Sequence, residues 1–134
     1  MKVVSFSCKI YDRQQLCKTF PVEWESVTVE TVLDKHTIVY AQGATVITAF
    51  VNDQLDAEIL QSLASYGVKL IALRCAGFNN VDLDAAKQLG ILVTRVPAYS
   101  PYAVAEHTVG LMLALSRKLY KAYNRVREGN FSLN

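Results

Sequence analysis

No stretch of this 134-residue chain approaches the run of about 20 apolar residues that a helix needs to cross a bilayer. The opening MKVVSFSCKI holds an apolar run too short and too interrupted for a secretory leader, so the expectation is a cytoplasmic protein with no membrane partner. Cysteine is scarce: Cys8, Cys17 and Cys75 are odd in number, widely spaced and outside any CxxC pair, which suits a reducing compartment and speaks against a disulfide framework. With only His36 and His107 beside them, no metal-ligand set is expected. An excess of one charge is lacking too, since 14 lysines and arginines face 12 aspartates and glutamates, and nothing pulls the chain toward nucleic acid. The six glycines, at 43, 67, 77, 90, 110 and 129, stand too far apart for GxGxxG or a Walker loop, so no cofactor-binding residues are expected in this chain. No Ser-His-Asp or Cys-His arrangement offers catalytic residues, and a self-sufficient enzyme is hard to find in these residues.

What the chain does hold is a 51% hydrophobic composition and a length that suits one ordinary domain with a real core. Short β-branched runs alternate with helical segments, the pattern of βαβ units in a parallel sheet. Residues 2–7, 25–30, 45–51, 69–74 and 91–95 read as strands, with 25–30 alternating polar and apolar like an edge and 45–51 continuously apolar like a centre. Residues 12–20, 31–42, 56–66 and 82–89 read as helices; Asp82 can cap the last of these, and Gly43, Gly67 and Gly90 stop three of them. The fold expected is α/β, a flavodoxin-like five-stranded parallel sheet.

The remaining segment breaks that rhythm. Ser100 followed by Pro101 is a helix start, and no breaker except Gly110 appears before Arg127, so one helix of about 40 Å is expected. The chain then divides into a sheet domain over 1–100 and a long helical segment over 101–134. Val104, Thr108, Leu111, Leu115, Leu119 and Val126 make an apolar stripe on that helix, while Ala103, Gly110 and Ala114 make a small-residue face that either admits another backbone or is incidental. An uncovered stripe of this kind favours a homo-oligomer through 101–127. Arg117, Lys118, Lys121, Arg125 and Arg127 read as a solvated cationic end that complements the helix dipole.

Ligands of an open parallel sheet bind beyond the carboxyl ends of its strands. Three such ends are informative: Phe50 to Asp53, Arg74 to Asn80 and Val96 to Ser100. Ala76 and Gly77 expose backbone N–H groups that can grip a carboxylate, although the same pair also makes an ordinary tight turn. Tyr99, set between Ala98 and a Ser-Pro helix start, either aims its ring at that rim or packs. Glu106 and His107 are neighbours on a helix, point about 100° apart, and form no catalytic pair by themselves.

The string LRCAGFNNVDLDAAKQLGILVTRVPAYSPYAVAEHTVGLMLALSRK, residues 73–118, closely resembles the D-2-hydroxyacid dehydrogenase family, and its RCAGFNNVD and VPAYSP-x-AVAEH portions are most similar to the bacterial fermentative D-lactate dehydrogenases. TAFVND and the tail NRVREGNFSLN are similar as well. The resemblance implies that this chain corresponds to the substrate domain of a two-domain NAD enzyme and precedes a Rossmann domain. It implies that Ala76 and Gly77 offer main-chain contacts to the carboxylate of a small 2-oxo or 2-hydroxy acid. It further implies that Tyr99 and Phe50 line the pocket at the methyl end, Arg74 shapes the loop from beneath, and Asn79 and Asn80 hold its turn. The segment from Pro101 would be a hinge-proximal helix at a dimer interface. NAD, and the arginine, glutamate and histidine of the reaction, would be held beyond these residues, leaving this chain alone inactive. The alternative is a stand-alone 2-oxo-acid-binding or regulatory module of the same fold.

Overall fold

The computed structural model describes residues 1–132. The chain forms two compact units, Met1–Pro97 and the residues from Ala98 onward. In the first, β1 (Lys2–Ser5), β2 (Glu25–Thr28), β3 (Val46–Ala49), β4 (Leu70–Leu73) and β5 (Leu92–Thr94) make one all-parallel sheet in the order β2-β1-β3-β4-β5. This is the flavodoxin order expected from the alternation of elements, with 25–30 on an edge.

Register explains the core. Val27, Val4, Ile47, Ile71 and Val93 are successive partners across all five strands, so one row of branched side chains crosses the sheet. With Phe6, Leu33, Leu60 and Leu63, all fully buried, this row joins the main hydrophobic cluster. Each such side chain contributes about 1.5–3 kcal/mol by leaving water. The helices are α1 (Ile10–Thr19), α2 (Ala57–Ser65) and α3 (Leu83–Gln88). Asp56 and Asp82 cap α2 and α3, their carboxylates accepting from the N–H of Ile59 at 3.0 Å and of Ala85 at 2.9 Å. Gly67 at φ 96° and Gly90 at φ 69° take the left-handed turn that ends these helices.

The helix expected over 31–42 does not form; a single 3-10 turn, Ile38–Ala41, stands there. The Asp34 carboxylate accepts from the N–H groups of His36 and Thr37 at 2.8 and 2.9 Å, and the Thr37 hydroxyl donates to the Val32 carbonyl at 2.6 Å. These side chains satisfy the backbone locally, in competition with a regular helix.

In the second unit the expected single helix is two: α4 (Pro101–Ser116) and α5 (Leu119–Arg127). Lys118 lies in the left-handed region at φ 52°, which ends the hydrogen-bond ladder without a glycine or proline to announce it. Pro101 opens α4 as expected, but the Ser100 side chain makes no capping hydrogen bond. No residue of either helix is buried. The last two residues of the expected 101–134 segment lie outside the described residues.

Candidate functional site

The carboxyl ends of β1, β3, β4 and β5 bring together four short loops. The first carries Ser7, a non-glycine residue at φ 52°, whose hydroxyl donates to the Asp53 carboxylate at 2.7 Å. Asp53 is 1% exposed and also accepts from the backbone N–H of Leu33 at 2.7 Å and of Phe50 at 2.5 Å. Among the described residues it has no ion pair, so these hydrogen bonds offset the loss of water around a buried carboxylate. The Asn80 side-chain amide donates to the backbone carbonyls of Asp53 at 2.8 Å and Phe50 at 3.3 Å, tying the loop after β4 to the loop after β3.

Arg74, at the end of β4, turns toward β1. Its guanidinium donates to the carbonyls of Phe6 and Ser7, pairs with Asp12 at 3.0 Å, and stands 5.5 Å from the centre of the Phe50 ring. Arg74 and Phe50 are therefore brought together, with the arginine supporting the loops. Arg95, after β5, donates to the carbonyls of Ala76, Val96 and Pro97 at 3.1–3.3 Å and covers the Phe78 ring at 5.2 Å.

The loop after β4 is the chemically open part. Ala76 is half-buried and Gly77 exposed. Among the described residues, no N–H from Cys75 to Asn80 has a hydrogen-bond acceptor, whereas the carbonyls of Cys75, Ala76, Gly77, Phe78 and Asn80 are all engaged. A run of unclaimed donors whose carbonyls are occupied suits a small anion. Beside it, an open groove of about 640 Å³ runs between the loops after β3 and β4, past Asn52, Asp53, Asn79 and Asn80. Burial pushes the thiols of Cys8 and Cys75 above their ordinary value, against the opposing pull of the Arg74 charge, so neither is an activated nucleophile.

Tyr99 belongs to the second unit, where it is 85% exposed beside Pro101 and Val104 in a shallow hollow. Glu106 and His107 are exposed on α4. The sequence placed Asp53 on the rim, in the segment that follows the third strand, but gave it no role, and it gave none to Arg95 or Ser7.

A dinucleotide needs closely spaced glycines between a strand's carboxyl end and a helix N-terminus. Gly43, Gly67 and Gly90 instead precede β3, β4 and β5 at the opposite rim, and Gly77 stands alone. These residues do not fit a nicotinamide dinucleotide.

The sequence profile of the family described as D-isomer specific 2-hydroxyacid dehydrogenase, catalytic domain, matches residues 7–130. The chain is 53% identical over its whole length to "2-hydroxyacid dehydrogenase homolog 1" of Schizosaccharomyces pombe, covering 41% of that protein. It is 49% identical to the D-lactate dehydrogenase of Escherichia coli, with 99% of this chain and 41% of that protein aligned. Among solved structures, the D-lactate dehydrogenase of Aquifex aeolicus complexed with NAD and lactic acid superposes with a TM-score of 0.80 at 36% identity, covering 98% of this chain and 39% of that one. The chain thus spans about 40% of the length of the relatives it matches.

Proposed function

Because this chain belongs to the D-isomer specific 2-hydroxyacid dehydrogenases through their catalytic domain, we propose that it is the substrate-holding part of a cytoplasmic, NAD-dependent D-lactate dehydrogenase that interconverts pyruvate and D-lactate. The carrying observation is the run of unclaimed N–H groups from Cys75 to Asn80. Donors fixed in a turn grip a carboxylate without the entropy of ordering side chains. Ala76 and Gly77 bind the carboxylate through their main chain. Phe50 lines the methyl end, and Arg74 holds the Phe50 wall from below.

Hydride is supplied by NADH, bound on polypeptide outside these 134 residues together with the proton donor, a reading supported by the wide spacing of the glycines in this sequence. The segment over 101–127 joins two copies in a homo-oligomer. The test is NADH oxidation with pyruvate, run on this polypeptide and on the product of the complete reading frame. Activity confined to the longer product is the expected result. A longer product inert toward pyruvate and other 2-oxo acids, or a stop codon directly after Asn134, would replace this reading by a stand-alone 2-oxo-acid-binding module.

A further inference from the structure

We propose that Asp53 is the positioning residue of this pocket, setting the separation between the Phe50 wall and the free N–H groups of the Ala76 turn. The inference rests on the pocket's reading as a 2-oxo-acid site. Three loops of distant sequence origin converge on one carboxylate: Ser7 after β1, Leu33 after β2, and Phe50 after β3. Two of the three donors are backbone N–H groups, so the carboxylate fixes main chain rather than side-chain rotamers. The clasp then continues into the neighbouring loop, because the Asp53 and Phe50 carbonyls both receive the Asn80 amide. Asn80 closes the stretch whose donors are unclaimed.

The chemistry admits few substitutes. A carboxylate presents only acceptors to three donors, whereas an asparagine must point an NH₂ group at one of them. Asp53→Asn therefore leaves the loops connected but sets one donor against another. Buried polar groups facing an unsuitable partner are costly, and the adjustment falls on the loops, which are less constrained than the strands. Because Asp53 is 1% exposed, its effect on the acid is transmitted through Phe50 and Asn80.

The test is an amide-resolved NMR titration of this chain with oxamate, an unreactive analogue of pyruvate, at millimolar concentrations. In the unaltered chain oxamate shifts the Ala76, Gly77 and Phe78 amides. Asp53→Asn weakens oxamate by about tenfold, the scale expected when one hydrogen bond to a charged group is lost. Asn80→Ala, which removes a surface tie and leaves the buried carboxylate intact, weakens it several-fold while the remaining amide spectrum stays dispersed. That second variant keeps the proposal open to refutation should Asp53→Asn fail to fold. Unchanged oxamate affinity in Asn80→Ala or in folded Asp53→Asn overturns the positioning role alone. Failure of oxamate to shift those amides in the unaltered chain overturns the substrate-site reading, and this proposal with it.

Discussion

The Arg74 guanidinium lies 3.0 Å from the Asp12 carboxylate, joining the end of β4 to the first turn of α1. Two of its nitrogens thereby serve different purposes: one meets the acid, the other the Phe6 and Ser7 carbonyls. Side-chain exposures of 18% and 24% leave the ion pair partly screened, so Asp12→Asn is expected to cost at most about 1 kcal/mol. Arg74→Lys loses the forked contacts to two carbonyls and the planar cover of Phe50, with an expected cost of about 1–3 kcal/mol. Urea unfolding of the two variants should rank them in that order; equal losses would mean that the carbonyl contacts are idle.

The thiols should separate by reactivity. Iodoacetamide at neutral pH is expected to modify exposed Cys17 first, Cys75 more slowly, and buried Cys8 last, read by peptide mass mapping. Burial raises the Cys8 thiol above its ordinary value of 9.0, so its contribution to stability is full below that value and is lost as pH rises through the higher folded value. Cys8→Ala should flatten the alkaline limb of stability against pH. Early labelling of Cys8 would contradict the packing around it.

Backbone conformation predicts opposite signs at two positions. Gly67 sits at φ 96°, and a Cβ placed there would meet nothing within 4 Å, so Gly67→Ala tests conformational strain without a clash. A loss of about 1–2 kcal/mol is expected. Lys118 already carries a side chain at φ 52°. Lys118→Gly should relieve strain there by about 0.5–1 kcal/mol, visible as a small rise in the urea midpoint where Gly67→Ala lowers it. Equal destabilisation by both substitutions would refute the argument.

Helix α4 is apolar on most of its circumference, and Val104, Val109, Leu111, Met112, Leu113 and Leu115 are each more than half exposed. Such a helix calls for cover. Concentration-dependent association in light scattering is expected, with Leu111→Lys plus Leu115→Lys shifting it toward monomer. A chain that stays monomeric throughout would count against the oligomer proposed through 101–127.

Legibility followed the distance over which each feature is determined. The cap at Asp82 and the glycine stops at 67 and 90 act within one helical turn and could be read directly, whereas Asp56, read as the first helical residue, is the cap of α2. The 31–42 segment misled because its apolar spacing looks helical while Asp34 and Thr37 redirect the backbone bonds. The break at Lys118 is unreadable, since lysine is an ordinary helix residue. At the site, the Ala76–Gly77 turn was visible as a string. The Asp53 clasp was not, because its partners lie 46 and 20 residues away in sequence.

The strand order has one further consequence. Successive connections leave in opposite directions from the β1 and β3 pair, and a doubly wound sheet normally opens a notch there for a nucleotide phosphate. Here the Ser7 hydroxyl and the Asp53 carboxylate meet 2.7 Å apart, so the molecule's own negative charge stoppers that notch. Flavin mononucleotide, the ligand this architecture accommodates elsewhere, would meet a buried anion where its phosphate must go. The N–H groups without an acceptor lie one strand along, in the turn after β4.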